Sequence, residues 1–122
     1  MILADTSVWV DHFKSGSSGL ESLLEQGRVC GHPFVIGELA CGNLQSRQTV
    51  IDLLGRLPQA PQASQDEVLH FIDVHELMGR GVGFIDVHLL AATALAGDAR
   101  LWTKDRRLAQ LAGELQLSHV PS

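Results

Sequence analysis

The sequence predicts an α/β sandwich built on a mainly parallel sheet. Three observations carry that prediction. The apolar runs Ile2-Leu3-Ala4 and Leu101-Trp102-Thr103 are short, as buried strands are, and an acid follows each closely, Asp5 and Asp105. Between them lie segments whose apolar residues recur at helical spacing. Strand-like and helix-like segments alternate along the chain, which is the order a parallel sheet with crossover helices requires. With 122 residues, 45% of them hydrophobic and 19% charged, the chain can bury one core without staples, so one domain over residues 1–122 is expected.

Taken in order, Ile2-Leu3-Ala4 is the first strand. Asp5, Thr6 and Ser7 are all residues that cap helices, and Val8, Trp9 and Phe13 give the following helix an apolar side. Gly16 to Gly19 breaks the chain. Leu20, Leu23 and Leu24 mark a second helix, stopped by Gly27. Arg28-Val29-Cys30-Gly31 reads as a second strand, and Pro33 suits the first turn of a helix running to about Gly42. Ser46 to Arg56 is a further helix, with Pro58 to Ala63 a connector or a poor edge strand. Ser64 and Glu67 have capping-box spacing at the head of a longer helix. Gly79 to Gly83 is a glycine-rich loop. Phe84 to Ala96 is apolar on nearly every side, so that helix should be buried. The strand Leu101 to Thr103 follows, then a helix from Arg106 to Leu115 and a last short strand over Leu117 to Val120.

Net charge is −5, which argues against a general basic coat for nucleic acid, although Arg100, Lys104, Arg106 and Arg107 lie close together. A carboxylate cluster that holds a cation also lowers the formal charge, so a nuclease is not excluded. No basic leader precedes Asp5, and the longest apolar stretch, around Leu89 to Ala96, is far too short to span a bilayer, so no membrane role and a cytoplasmic setting are expected. Cys30 and Cys41 form no Cys-x-x-Cys pair and are expected as free thiols. The histidines lack the spacing and the partners of a zinc site, and His12 and His88 read as structural or exposed.

Four acids stand where a solvated charge is not normally placed. Asp5 and Asp105 each follow a strand and precede a helix. In an open parallel sheet, ligands bind outside the carboxyl ends of the strands. Either acid can also be a simple helix cap. At ~100° per residue, Glu38 falls between Phe34 and Val35 on its helix, an expensive position for an unpartnered carboxylate. Asp86 opens the most apolar helix, where the macrodipole favours its charge, and the preceding glycines let other groups approach. Four carboxylates without a cation would push some of their pKa values up. The chemistry that needs them is a hard cation, Mg²⁺ or Mn²⁺, which takes oxygen ligands and keeps several waters. Thr6, Ser7 and Thr103 place hydroxyls beside these acids and can orient water or serve as backbone partners.

These segments resemble a known family. Asp5-Thr6-Ser7-Val8-Trp9, Gly37-Glu38-Leu39, Gly83-Phe84-Ile85-Asp86-Val87-His88-Leu89-Leu90-Ala91-Ala92 and Leu101-Trp102-Thr103-Lys104-Asp105-Arg106-Arg107-Leu108 resemble, in order and spacing, the four motifs of PIN-domain ribonucleases of the VapC type. The resemblance implies a three-layer α/β/α fold with a central, mainly parallel sheet. It implies a Mg²⁺- or Mn²⁺-dependent endoribonuclease, the toxin of a type II toxin–antitoxin pair, that cuts RNA to leave a 5′-phosphate and a 3′-hydroxyl. It implies metal-site acids Asp5, Glu38, Asp86 and Asp105, with Thr103 as the hydroxyl preceding the last. The implied partners are an RNA substrate, a cognate VapB-like antitoxin whose tail enters the groove, and a second copy in a homodimer. The segment from Leu44 to Met78 carries no motif of the family. Arg80, Lys104 and Arg107 are candidates for RNA-phosphate contacts, whereas Arg106 reads as surface charge. Trp9 and Trp102 can stack on bases, but their strand and helix settings favour core or dimer packing.

Two other classes compete. A phosphoacceptor receiver domain needs paired acids after the first strand, where this chain has Thr6 and Ser7. A non-catalytic PIN scaffold that only grips RNA or protein needs none of the four acids, and this sequence has all of them.

Overall fold

A computed structural model describes residues 1–121; Ser122, the last residue of the expected domain, lies outside the described residues. Among the described residues the chain forms three strands and seven helices. They are β1 (Ile2–Ala4), α1 (Thr6–Ser15), α2 (Ser18–Glu25), β2 (Val29–Cys30), α3 (Pro33–Ala40), α4 (Arg47–Arg56), α5 (Gln65–His75), α6 (Phe84–Ala96), β3 (Arg100–Trp102) and α7 (Arg106–Glu114). The sheet runs β2-β1-β3 and is parallel throughout, with Leu3 opposite Cys30 on one side and Leu101 on the other. The fold is the three-layer α/β/α arrangement. Right-handed crossovers explain the layers: the chain steps outward from β1 to β2, then returns past β1 to β3, so the two connections cross opposite faces.

Local chemistry sets most boundaries. Asp5 caps α1 by accepting from the Val8 N–H, and Gly16, at φ +75°, ends it. Ser17 caps α2, and Gly27 turns the chain into β2 at φ +66°. Ser64 and Glu67 form the expected reciprocal capping box on α5. Asp105 caps α7 through the Leu108 N–H at 2.9 Å. In α6 every residue from Val87 to Thr93 is buried, as a helix apolar on all sides must be.

Two predicted edge segments shrink. Leu117 to Val120 contributes one parallel bridge, Leu101 to Ser118, and the 58–63 connector contributes one, Gly31 to Gln59. Pro58 and Pro61 lack an N–H to extend the ladder beside β2. Beside β3, Gln116 turns at φ +60° and Pro121 follows closely. Thr103, expected within its strand, sits one residue past β3.

The core is continuous. Leu3, Leu20, Leu89, Leu90, Leu101 and Leu108 are among its fully buried side chains. Trp9 and Trp102, at 4% and 6% exposure, belong to it and are not presented to bases. Cys30 and Cys41 are free thiols, as expected. No helix among the described residues is long and apolar enough to cross a membrane.

Candidate active site

Because all three strands run the same way, Asp5, Gly31 and Thr103 leave the sheet at one edge. The Asp5 N–H donates to the Trp102 carbonyl at 3.0 Å, which carries the β1–β3 pairing one residue further and fixes the Asp5 carboxylate at that edge. Its side chain is only 5% exposed. One oxygen, Oδ1, accepts from Ser7 Oγ at 2.5 Å and from the Val8 N–H at 3.2 Å; the other, Oδ2, accepts from Thr103 Oγ1. Each hydroxyl has a second task. Ser7 Oγ accepts from the Lys104 N–H at 2.9 Å, and Thr103 Oγ1 accepts from the Asp105 N–H at 3.0 Å. Residues nearly a hundred positions apart are thereby closed into one network around a single carboxylate.

The other acids stand around it. Glu38 projects from α3, and its Oε1 accepts from Thr6 Oγ1 at 2.7 Å. Contrary to the sequence expectation of an apolar helix face, Glu38 is exposed. The α3 face turned to the core carries Val35 and Leu39 instead, so the carboxylate needs no burial partner. Asp86 lies in the first turn of α6, half-buried, and accepts from the Gly83 N–H at 3.4 Å. Asp105 is exposed at the head of α7. Burial pushes the Asp5 carboxyl up, against the pull of its hydroxyl and backbone donors. Burial also pushes Asp86 up; the Gly83 N–H pulls the other way, and the charges of Asp5, Asp105 and Glu38 push it further up. Asp86 therefore feels the charge of each of the other three acids.

Can these residues hold a cation? Every donor is a carboxylate or hydroxyl oxygen, the set that Mg²⁺ and Mn²⁺ take. Two of the acids are held in a state that a positive charge would relieve. Among the described residues no three of His, Cys, Asp and Glu close into a direct ligand cage. A cation that keeps several waters and takes one or two carboxylates directly suits that spacing. The residues fit the group.

The sequence pattern of the PIN domain matches residues 2–114, which takes in all four acids. The chain belongs to the PIN domain family. It is 46% identical over 114 residues to a protein named Ribonuclease VapC32 from Mycobacterium tuberculosis (strain CDC 1551 / Oshkosh), covering 93% of this chain and 92% of that one. The same figures hold for Ribonuclease VapC32 of Mycobacterium tuberculosis (strain ATCC 25618 / H37Rv). These relatives place the chain in the VapC group of PIN domains.

The cationic residues are already engaged. Arg80 pairs with Glu114 at 2.6 Å, which fastens the glycine loop to the end of α7. Lys104 Nζ stands 3.3 Å from Asp11. The Arg107 side chain lies across Gly81, where a Cβ would stand 2.6 Å from its Nη1. Gly81 has φ +82°, so only glycine both makes this turn and admits the guanidinium. Sequence reasoning expected Ser7 as a cap or backbone partner, which the bond from the Lys104 N–H bears out, but missed that the same hydroxyl donates to Asp5. It also missed the groove of about 860 Å³ that runs from Thr6 and Glu38 past Val10, Phe13, Leu39 and Val50. No local pattern marked it: Phe13 reads with Val8 and Trp9 as one apolar side of α1, yet it is 41% exposed.

Proposed function

We propose that this chain is a Mg²⁺- or Mn²⁺-dependent endoribonuclease, the toxin of a VapB-paired system, acting as a single domain over residues 1–122. The observation that carries the reading is the gathering of acids about the sheet edge: Asp5 buried at the end of β1 and bonded across to Thr103, Glu38 bonded to Thr6, and Asp86 pushed up first by burial and then by the charges of Asp5, Asp105 and Glu38. Such a field is costly unless a cation answers it. When bound, one or two such ions supply the charge that activates a water and steadies the leaving oxygen of a phosphodiester.

This chain's own residues do the rest. Asp5, Glu38, Asp86 and Asp105 hold the ion, directly or through water. Thr103 and Ser7 keep the Asp5 oxygens oriented by donating to them, so the carboxylate presents its remaining lone pairs to the site. Lys104, just before Asp105, and Arg107, two residues after it, are the candidates to meet phosphates. Arg80 can join them by exchanging Glu114 for a phosphate, since an exposed ion pair is cheap to open. The groove beginning at Glu38 has an apolar floor and suits the tail of a VapB-like antitoxin, which would block RNA from the acids. The resemblance further supports a cytoplasmic protein and a homodimer.

The deciding experiment is cleavage of a labelled RNA. Cutting in Mn²⁺ or Mg²⁺, abolished by EDTA and by Asp5→Asn, with 5′-phosphate ends, is expected. RNA binding without cleavage in either metal would overturn the reading and leave a binding module.

A further inference from the structure

Two buried histidines lie outside the catalytic network. His32 is 0% exposed and caps α3: its Nδ1 accepts from the Phe34 N–H at 3.0 Å. That bond fixes the tautomer, because a neutral ring that accepts at Nδ1 carries its proton on Nε2. The Nε2–H is buried with no acceptor. His88 on α6 is 4% exposed, and its Nδ1 is also buried without a partner. Both rings pack on Phe34, at centroid distances of 5.2 Å and 4.7 Å, and His88 also meets Phe84 edge-on at 4.7 Å. Burial lowers His32 to about 4, with His88 pushing the same way, so it is a neutral donor at physiological pH.

The two rings share Phe34, and His88 is close enough to act on His32; buried polar atoms of a native core are bonded, directly or through water. We propose that one internal water links His32 Nε2–H to His88 Nδ1, and that this link sets the spacing of Glu38 and Asp86. Phe34, which the two rings share, lies one turn before Glu38 on α3. His88 lies two residues after Asp86 on α6. The link thus joins the heads of the two helices that carry these acids. His32 and His88 are positioning residues in this scheme. The link itself does not depend on the ribonuclease reading; its consequence for Glu38 and Asp86 does.

The variants are His32→Asn, which keeps an acceptor for the Phe34 N–H while removing the Nε2 arm, and His88→Phe, which keeps the aromatic packing. Urea unfolding of both singles and the double is run without metal. Each single strands the other partner, so the double should unfold less readily than the product of the singles predicts, by roughly fivefold in the unfolding constant. Purely multiplicative effects overturn the link. Nitrogen-15 spectra of the native chain should show His32 as the Nε2–H tautomer with a slowly exchanging proton, and His88→Phe should speed that exchange. Unchanged exchange also overturns the link. Mn²⁺ affinity should fall in each single variant, by about tenfold as for other lost supports of metal ligands, with little further loss in the double. Unchanged affinity beside a confirmed coupling overturns the positioning role. A native chain that binds no Mn²⁺ overturns that role together with the ribonuclease reading and leaves the link standing.

Discussion

Thr103→Val tests the network around Asp5 with almost no change of shape. The substitution deletes the hydroxyl that donates to Asp5 Oδ2 and accepts from the Asp105 N–H. The Asp105 N–H can turn to water, because that residue is exposed. Asp5 cannot, being almost wholly buried. A hydrogen bond to a charged group contributes about 1.5–3 kcal/mol, and because Asp5 keeps its Ser7 and Val8 donors the lower end applies, about 1.5 kcal/mol. A chain of this length unfolds with an entropy of about 0.26 kcal/mol/K, so Tm should fall by about 6 °C at neutral pH. The pH dependence is the sharper test. Asp5 already sits above the ordinary aspartate range, and the Thr103 hydroxyl is one of the groups pulling it down. A raised carboxyl contributes stability that is fully present below its unfolded pKa and is lost as pH rises through its folded pKa. Losing Thr103 lifts the folded value further, so the variant gives up more at neutral pH, where the charge must be carried, than at acid pH below the unfolded pKa, where Asp5 is protonated in both chains. Thermal melts in EDTA across that range read this directly. A Tm loss that is the same at every pH would refute the account of Thr103 as a support for the Asp5 charge.

Three further outcomes are expected. Mn²⁺ at a hundred times its dissociation constant should stabilise the chain by about 2.7 kcal/mol, near 10 °C in Tm at pH 7.5; the shift should shrink as pH falls through the raised Asp5 and Asp86 values and vanish in Asp86→Asn, and a shift surviving in that variant would place the cation elsewhere. Gly81→Ala and Gly79→Ala both put a side chain at positive φ, but only the former drives a Cβ into Arg107. Each should cost about 1 kcal/mol from the backbone, and Gly81→Ala should in addition weaken RNA affinity; equal RNA affinities in the two variants would remove Arg107 from the phosphate contacts. Ser64→Ala should cost about 1 kcal/mol by opening the α5 capping box, with no change in RNA cleavage; reduced cleavage would tie α5 to the site.

What the sequence reveals divides by distance along the chain. The Ser64–Glu67 box, the Asp5 and Asp105 caps and the buried α6 rest on neighbours three or four residues apart, so local pattern suffices to find them. Three of the candidate acids stood out by position, Asp5 and Asp105 after strands and Asp86 opening a buried helix. Glu38 was placed on the wrong kind of face, because a short helix with Phe34, Val35 and Ile36 all apolar leaves its inner side ambiguous. The Arg80–Glu114 pair spans 34 residues, and the Asp5–Thr103 bond spans 98. No periodicity encodes either: the first follows from how the glycine loop before α6 meets the end of α7, the second from how the segments after β1 and β3 meet. That His32 and His88 share a neighbour was equally invisible, since only the folded packing sets both rings against Phe34.

The order of the strands also bears on how the protein comes into being. β1 is the middle strand, yet its partner β3 is translated almost a whole chain later, and the bond from Thr103 to Asp5 cannot form before then. A nascent chain that has made Asp5, Glu38 and Asp86 therefore still lacks the brace that holds the first of them in place. Ribosome-bound fragments ending before β3 should be harmless to RNA, which confines any cutting activity to molecules that have been made through β3 and Asp105.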